Sequence, residues 1–254
     1  MPDLSYLAAF FLVFLRTAAF MTAGPLYALR GVPPLLKAAF CLALAAVIFP
    51  VLDLNEPLPL DAWGYGLAAA RETGLGLLLG TAVTMILNSF RMAGQIIDFQ
   101  IGYSMAALAD PQYGTQNTLL SQYLYLLALV FFLVVDGHYS LIAGLVESYR
   151  LVPLNAAVFN GAAASVLLRM FSGSFAIALQ VSAPVLAVLV ICDLTLGFLA
   201  RTAPQLNVFL TGFPVKIAAG LLTLSFLIPL LGTVLRSLLG LIERDLYTLM
   251  RVLV

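Results

Sequence analysis

Charge is what this sequence has least of. Only 9% of its 254 residues are Asp, Glu, Lys or Arg, and the 12 basic side chains balance the 12 acidic ones. Soluble domains carry about 25% charged residues and about 45–50% apolar ones. Here 63% is hydrophobic and the mean hydropathy is +1.07. Too little polar surface remains to cover a water-facing domain, which points to an all-α, polytopic helical membrane protein. No basic patch or arm is present, which argues against a nucleic-acid partner. Cysteine is nearly absent. Cys41 and Cys192 sit inside apolar runs, form no CxxC pair, and read as small apolar packing residues. The single histidine, His138, stands in a turn with no second ligand nearby, so a cap or an interfacial contact suits it better than metal or acid–base work. HExxH, the P-loop, GxSxG and the dinucleotide fingerprint are all missing. Serines and threonines occur without triad context. Neither enzyme activity nor a cofactor or metal is expected.

What is present is a series of apolar runs. The first spans Leu4 to Ala23, lacks a basic leader, and reads as mature helix rather than a signal peptide. Gly24-Pro25 and Pro33-Pro34 punctuate the chain before a second run from about Leu36 to Leu52. Asp53–Asp61 is an acidic, proline-bearing loop. A third span covers Thr73–Phe90, with the helix starting a little earlier, near Ala68. A fourth covers Leu119–Val135, followed by a short helical piece over Ser140–Tyr149 and a Pro153-Leu154-Asn155 turn. Met170–Cys192 is uncharged throughout and carries Pro184, which is expected to kink it. Ile217–Leu235 is the last long run, interrupted by Pro229. The tail Leu241–Val254 has mixed charge with apolar spacing and reads as an amphipathic terminal helix. The total is about six spans, with kinked helices and helical hairpins. Basic residues are scattered singly, so the positive-inside rule has little to act on.

Several charges stand in or beside these runs: Arg16, Arg71, Glu72, Arg91, Asp98, Asp193, Arg201 and Lys216. A charge in hydrocarbon is costly and faces protein, water or another charge. Arg71-Glu72 reads as the opening of a helix, where both side chains can snorkel. Arg16 and Lys216, apolar on both sides, are candidates for buried partners. Gly76 and Gly80 are four residues apart, which bares one face of a helix for close packing.

The central stretch, Gly102–Leu120, is small and polar between two greasy segments. Gly102 and Ser104 loosen the chain, and Asp110-Pro111 makes a turn. Thr115, Gln116 and Asn117 can cap the next helix. Met105, Ala106, Ala107, Leu108 and Tyr113 are too apolar for an open-water loop. Non-helical backbone facing lipid would leave polar groups unpaired. A protein-lined cavity or pore satisfies both constraints, which makes the stretch a plug or gate element; the rival is an ordinary interfacial loop.

Two segments carry a specific resemblance: RTAPQLNVFLTGFPVKI, Arg201 to Ile217, and QIGYSMAALADPQYG, Gln100 to Gly114. Three weaker ones support them in order: FLRTAAFMTAGPLYALRGVPPLLKAAFCLALA, RETGLGLLLG and DGHYSLIAGLVESYRLVPLN. Together they make nearly the whole chain resemble the FliR family, the flagellar branch of the type III secretion export-gate proteins, with the injectisome homologues as relatives. The resemblance implies one copy in a hetero-oligomer with FliP-like and FliQ-like subunits around a pore. FlhA- and FlhB-like proteins would lie nearby, in the inner membrane at the flagellar basal body, and unfolded exported subunits would pass as transient substrates. It implies a fusion of a FliP-like part, residues 1–170, with a FliQ-like hairpin part, residues 171–254. The family's plug loop falls on 102–114, with Gly102, Ser104, Met105, Asp110, Pro111 and Gly114 as plug residues. Arg201, Pro204, Asn207, Gly212, Pro214 and Lys216 fall on the second signature, where a helix reversal and subunit packing are implied; Arg16, Gly76 and Gly80 join them as packing positions. From the residues alone, a small-molecule secondary transporter and a non-gating assembly scaffold stay open. Transporters favour inverted repeats with matching broken helices, and the two halves here are not convincingly similar.

Overall fold

The computed structural model describes residues 2–25, 32–52, 61–102, 118–203, 205 and 208–253, with side chains from Ser5 in the first helix and from Gly212 in the last. The described residues are helical, without strands. The helices are α1 (Pro2–Ala23), α2 (Pro34–Ile48, ending in a 3-10 turn at Phe49–Val51), α3 (Ala62–Ile101), α4 (Leu119–Val134), α5 (Gly137–Leu151), α6 (Gly161–Thr202) and α7 (Val208–Val252). Among them five are long and apolar enough to cross a membrane. Six spans result when α4 and α5, each short alone, count as one broken span.

Three helices exceed their expected lengths. α3 begins at Ala62, not near Ala68, because the Asp61 carboxylate accepts the Gly64 N–H at 2.8 Å. A capped first turn, worth about 1 kcal/mol, offsets part of the helix cost of Gly64 and Gly66, about 1 kcal/mol each. α6 extends the uncharged run by nine residues before Met170 and ten after Cys192. It continues through Pro184, as α7 does through Pro214 and Pro229. The tail is not a separate helix: it continues α7, burying Leu238, Ile242, Leu246, Leu249 and Met250 at three- and four-residue intervals. Thr118 occupies the N-cap position of α4, so the expected caps at 115–117 lie upstream of it, outside the described residues. Cys41 is buried and Cys192 half-buried, and neither forms a disulfide among the described residues.

The chain divides into two compact units that interleave along the sequence. The first comprises Met1–Ile86, Asp136–Phe171 and Leu238–Val254. In it α1 and the first part of α3 run parallel: Ala8 meets Tyr65, Arg16 meets Glu72, and Ala23 meets Thr84. α2 supplies the return path between them. Gly76 and Gly80 permit that approach. A Cβ on Gly76 would run into the Arg16 carbonyl and, at 2.8 Å, the Ala19 Cβ. One on Gly80 would lie 2.5 Å from the Phe20 carbonyl oxygen. The end of α7 is tied down by Val158, whose N–H donates to the Leu253 carbonyl at 2.8 Å, and by Asn160 Nδ2, donating to Val252 at 2.8 Å.

The second unit comprises Leu87–Val135 and Ser172–Ser237. It holds two antiparallel hairpins. In one, Arg91 faces Tyr125 and Gly94 and Asp98 face Ser121, joining the end of α3 to the start of α4. In the other, Leu196 faces Gly212, Asp193 faces Lys216, and Leu189 faces Gly220, joining α6 to α7.

Candidate functional site

Two polar clusters stand inside the apolar structure. The first lies in the first unit, around Arg16. Arg16 is fully buried, and so is Glu72. The guanidinium Nε donates to Glu72 Oε2 at 2.5 Å. Its Nη1 donates to the carbonyls of Ser148 at 3.0 Å and Val152 at 2.9 Å at the C-terminal end of α5, where the Ser148 carbonyl also accepts the Val152 N–H at 3.0 Å. A cation there is also favoured by the helix dipole. The Tyr149 ring lies 4.3 Å from the guanidinium carbon, and the Tyr149 hydroxyl donates to the Val13 carbonyl at 3.0 Å. Glu72 uses its other oxygen to accept the Asn155 N–H at 2.8 Å. Arg71 donates to the Asn155 carbonyl at 3.2 Å, and Asn155 holds a left-handed φ of 65°. Arg16 therefore has the buried partner that its apolar surroundings predicted. Glu72 does not open a helix or snorkel; the helix starts ten residues before it, and its carboxylate is the partner.

The second cluster lies in the second unit and unites the two sequence segments that are most specific. Lys216 Nζ pairs with Asp193 Oδ1 at 2.7 Å, and Gln100 Nε2 donates to Asp193 Oδ2 at 2.9 Å. The lysine is mostly buried, whereas Asp193 is 42% exposed. Next to Gln100, Ile101 packs where Gly220 leaves room; a Cβ there would sit 2.7 Å from Ile101 Cδ1. Gly102 ends α3 with φ at 101°, a conformation that L side chains rarely adopt, and a Cβ on it would overlap the Phe213 ring. Gly212 is buried against Leu196. Pro214 is exposed within α7, and Arg201 is exposed in the last turn of α6. Ser104, Met105, Asp110, Pro111 and Gly114 lie outside the described residues, as do Pro204 and Asn207.

One participant was not singled out by sequence reasoning beyond its charge. Asp98, fully buried on α3, accepts the Ser121 N–H at 3.0 Å through Oδ2. Ser121 is the third residue of α4, whose first-turn N–H groups lack intrahelical partners. The spacing of Gly94 and Asp98, one turn apart, was the available signal. His138 stands in the first turn of α5, its ring centroid 4.3 Å from that of Tyr139. Among the described residues no group of His, Cys, Asp and Glu is placed to hold a metal.

The clusters hold helices in place and contain no nucleophile–base pair. Residues 7–242 match the family model described as "Bacterial export proteins, family 1". The chain is similar to "Flagellar biosynthetic protein FliR" of Bacillus subtilis (strain 168), at 39% identity over 236 residues, 92% of this chain and 91% of that protein. It is similar to the protein of that name from Escherichia coli (strain K12), at 31% over 229 residues, 90% and 87% of the two chains. The one from Aquifex aeolicus (strain VF5) is 25% identical over 227 residues, 89% and 87% of the two chains.

Proposed function

Because the chain belongs to the bacterial export proteins of family 1, and among them to the FliR family, we propose that it forms part of the channel through which unfolded flagellar subunits cross the inner membrane. It is a membrane-embedded component of the flagellar export apparatus. In the proposed assembly it stands as one copy beside FliP-like and FliQ-like subunits in the basal body, near FlhA- and FlhB-like proteins. Residues 1–170 take the FliP-like position and the α6–α7 hairpin within 171–254 the FliQ-like one. Residues 102–114 act as the plug.

One observation carries this reading. The stem of the proposed plug, Gln100–Gly102, packs on the second family signature through Asp193, Lys216 and Phe213. The segment is thus held at its base by a hairpin proposed to face the neighbouring subunits. Gly102, at φ 101°, turns the chain out of α3 at that base.

The test is to shorten 103–117 and measure the conductance of the assembled complex in lipid bilayers. Raised conductance with unchanged subunit composition is expected. A shortened variant that assembles normally and stays closed leaves the chain as a scaffold and removes the plug.

A further inference from the structure

α2 buries only Cys41, Ala45 and Ile48, one stripe at three- and four-residue spacing. Leu35, Leu36, Phe40, Leu42 and Val47 are exposed on its other side. At 3.6 residues per turn they spread over about 160° of the helix circumference. One packed helix covers a single stripe, whereas lipid chains cover a convex apolar surface from every side. The surface is free of charge between its edges. Lys37, in the first turn of α2, is the only charge of that helix, and Arg16 of α1 turns inward to Glu72. Ser5–Ala23 and Pro34–Val51 offer 19 and 18 residues. That is about 27–29 Å of helix, against about 30 Å of hydrocarbon in a bilayer.

One edge of this surface carries aromatic side chains with polar tips. Trp63, the only tryptophan of the chain, is 91% exposed in the first turn of α3. Tyr65, two residues on, donates its hydroxyl to the Ala8 carbonyl at 3.0 Å. Tyr6 stands two residues before Ala8 and is exposed as well. Because α1 and α3 run parallel, Trp63 and Tyr6 lie at one level. α2 finishes near it: the Phe49 ring meets that of Phe10 edge-on at 5.5 Å. Asp61 is exposed just before Trp63, and the sequence leading to it holds Asp53 and Glu56 but no base. Trp and Tyr collect at membrane–water interfaces, where an apolar ring and a polar tip are both satisfied.

We propose that the outer surface of α1, α2 and the start of α3 faces lipid, with Trp63 and Tyr6 seated in the headgroup region of one leaflet. The occupant is a lipid surface rather than a protein, because the apolar stretch matches the bilayer in thickness and ends in amphipathic aromatics beside exposed acid. This reading is independent of the plug and needs only that the chain is embedded in a membrane.

Trp63 is its own reporter. The full chain, purified with the subunits it retains, is placed in phosphatidylcholine nanodiscs. Their acyl chains are brominated either near the headgroup or near the methyl end, so that bromine quenches fluorescence at a known depth. Emission of the parent minus that of Trp63→Phe isolates this one ring, and the substitution spares the fold because the ring packs on almost nothing in the chain. Shallow bromines are expected to quench Trp63 about twofold or more over deep ones, as an interfacial ring requires. Leu42→Trp in the Trp63→Phe background moves the reporter midway along Pro34–Val51, and there the order should reverse. Quenching of Trp63 by aqueous iodide but by neither lipid overturns the headgroup placement, as does stronger quenching by deep bromines. A Trp63 shielded from bromine and iodide alike is covered by protein, which overturns the proposal. A Leu42→Trp ring that neither lipid quenches overturns the lipid-facing surface, whatever Trp63 reads.

Discussion

Two cations in apolar segments behave differently, and burial decides the difference. Arg16 is enclosed with Glu72 at zero exposure, and it also closes the carbonyls at the end of α5. Removing one partner of such a pair leaves an uncompensated buried charge and costs about 3–5 kcal/mol. Lys216 pairs with Asp193, which is 42% exposed and keeps its bond from Gln100 when the lysine is gone. Water screens that pair, and its loss costs about 0–1 kcal/mol. The expected result is that Arg16→Met lowers the yield and thermal midpoint of the detergent-solubilised chain sharply, while Lys216→Ala leaves both near the parent. Adding Glu72→Leu to Arg16→Met should recover part of the loss, the remainder reflecting the carbonyls of Ser148 and Val152. Equal midpoints for the two single variants would contradict the burial argument. The sequence marked Arg16 as a buried charge because apolar residues flank it on both sides. It concealed Glu72, because no periodicity says that a helix starts ten residues before a charged pair. Asp98 was legible as a charge but not as a cap, since its partner lies 23 residues away across the connector.

At the scale of helices, number and order were legible and length was not. Long uncharged runs announce a span, yet α3, α6 and α7 continue well past the apolar windows that reveal them, at 40, 42 and 45 residues. Helix ends depend on caps and on contacts between sequence-distant elements, as Asp61 does for α3 and Asn160 for α6, where it accepts the Ala163 N–H at 3.0 Å. Glycine spacing was a sounder guide. Gly76 and Gly80 lie where α1 crosses, but the sequence could not say which helix would fill the bared face. Gly173 shares their residue type without their surroundings; a Cβ there meets nothing within 4 Å among the described residues. Gly80→Val should therefore part α1 from α3 and destabilise the protein by about 1–3 kcal/mol. Gly173→Ala should be neutral or stabilising by up to about 1 kcal/mol, because alanine loses less backbone entropy in a helix. Thermal midpoints of the two variants in one detergent check this. A Gly80→Val protein that melts with the parent would mean that α1 does not press on α3 there.

At the scale of the whole molecule, helix length and exposed surface lead to the same requirement. About 20 residues suffice to cross the hydrocarbon core, and three helices here have about twice that. Their excess length must tilt in lipid or leave it. Yet α6 exposes large apolar side chains along much of its course, at Phe171, Leu179, Ile191 and Phe198, and α7 exposes Leu222, Phe226 and Leu230 in its middle. Apolar surface that continues beyond the thickness of a bilayer calls for other protein to cover it, since contiguous exposed patches mark interaction sites. The proposed partner subunits, in a fixed ratio, would meet that need. The expected outcome of co-expressing the chain with FliP-like and FliQ-like proteins is one large detergent-stable particle, with a single copy of this chain by native mass and subunit composition. Expressed alone, the chain should be polydisperse or bind an excess of detergent. A monodisperse particle lacking the partners would show that the long apolar faces are satisfied by lipid alone. Weight would then move to an independent transporter, and the contact between Gln100–Gly102, the stem of the proposed plug, and the α6–α7 hairpin would become a matter of internal packing only.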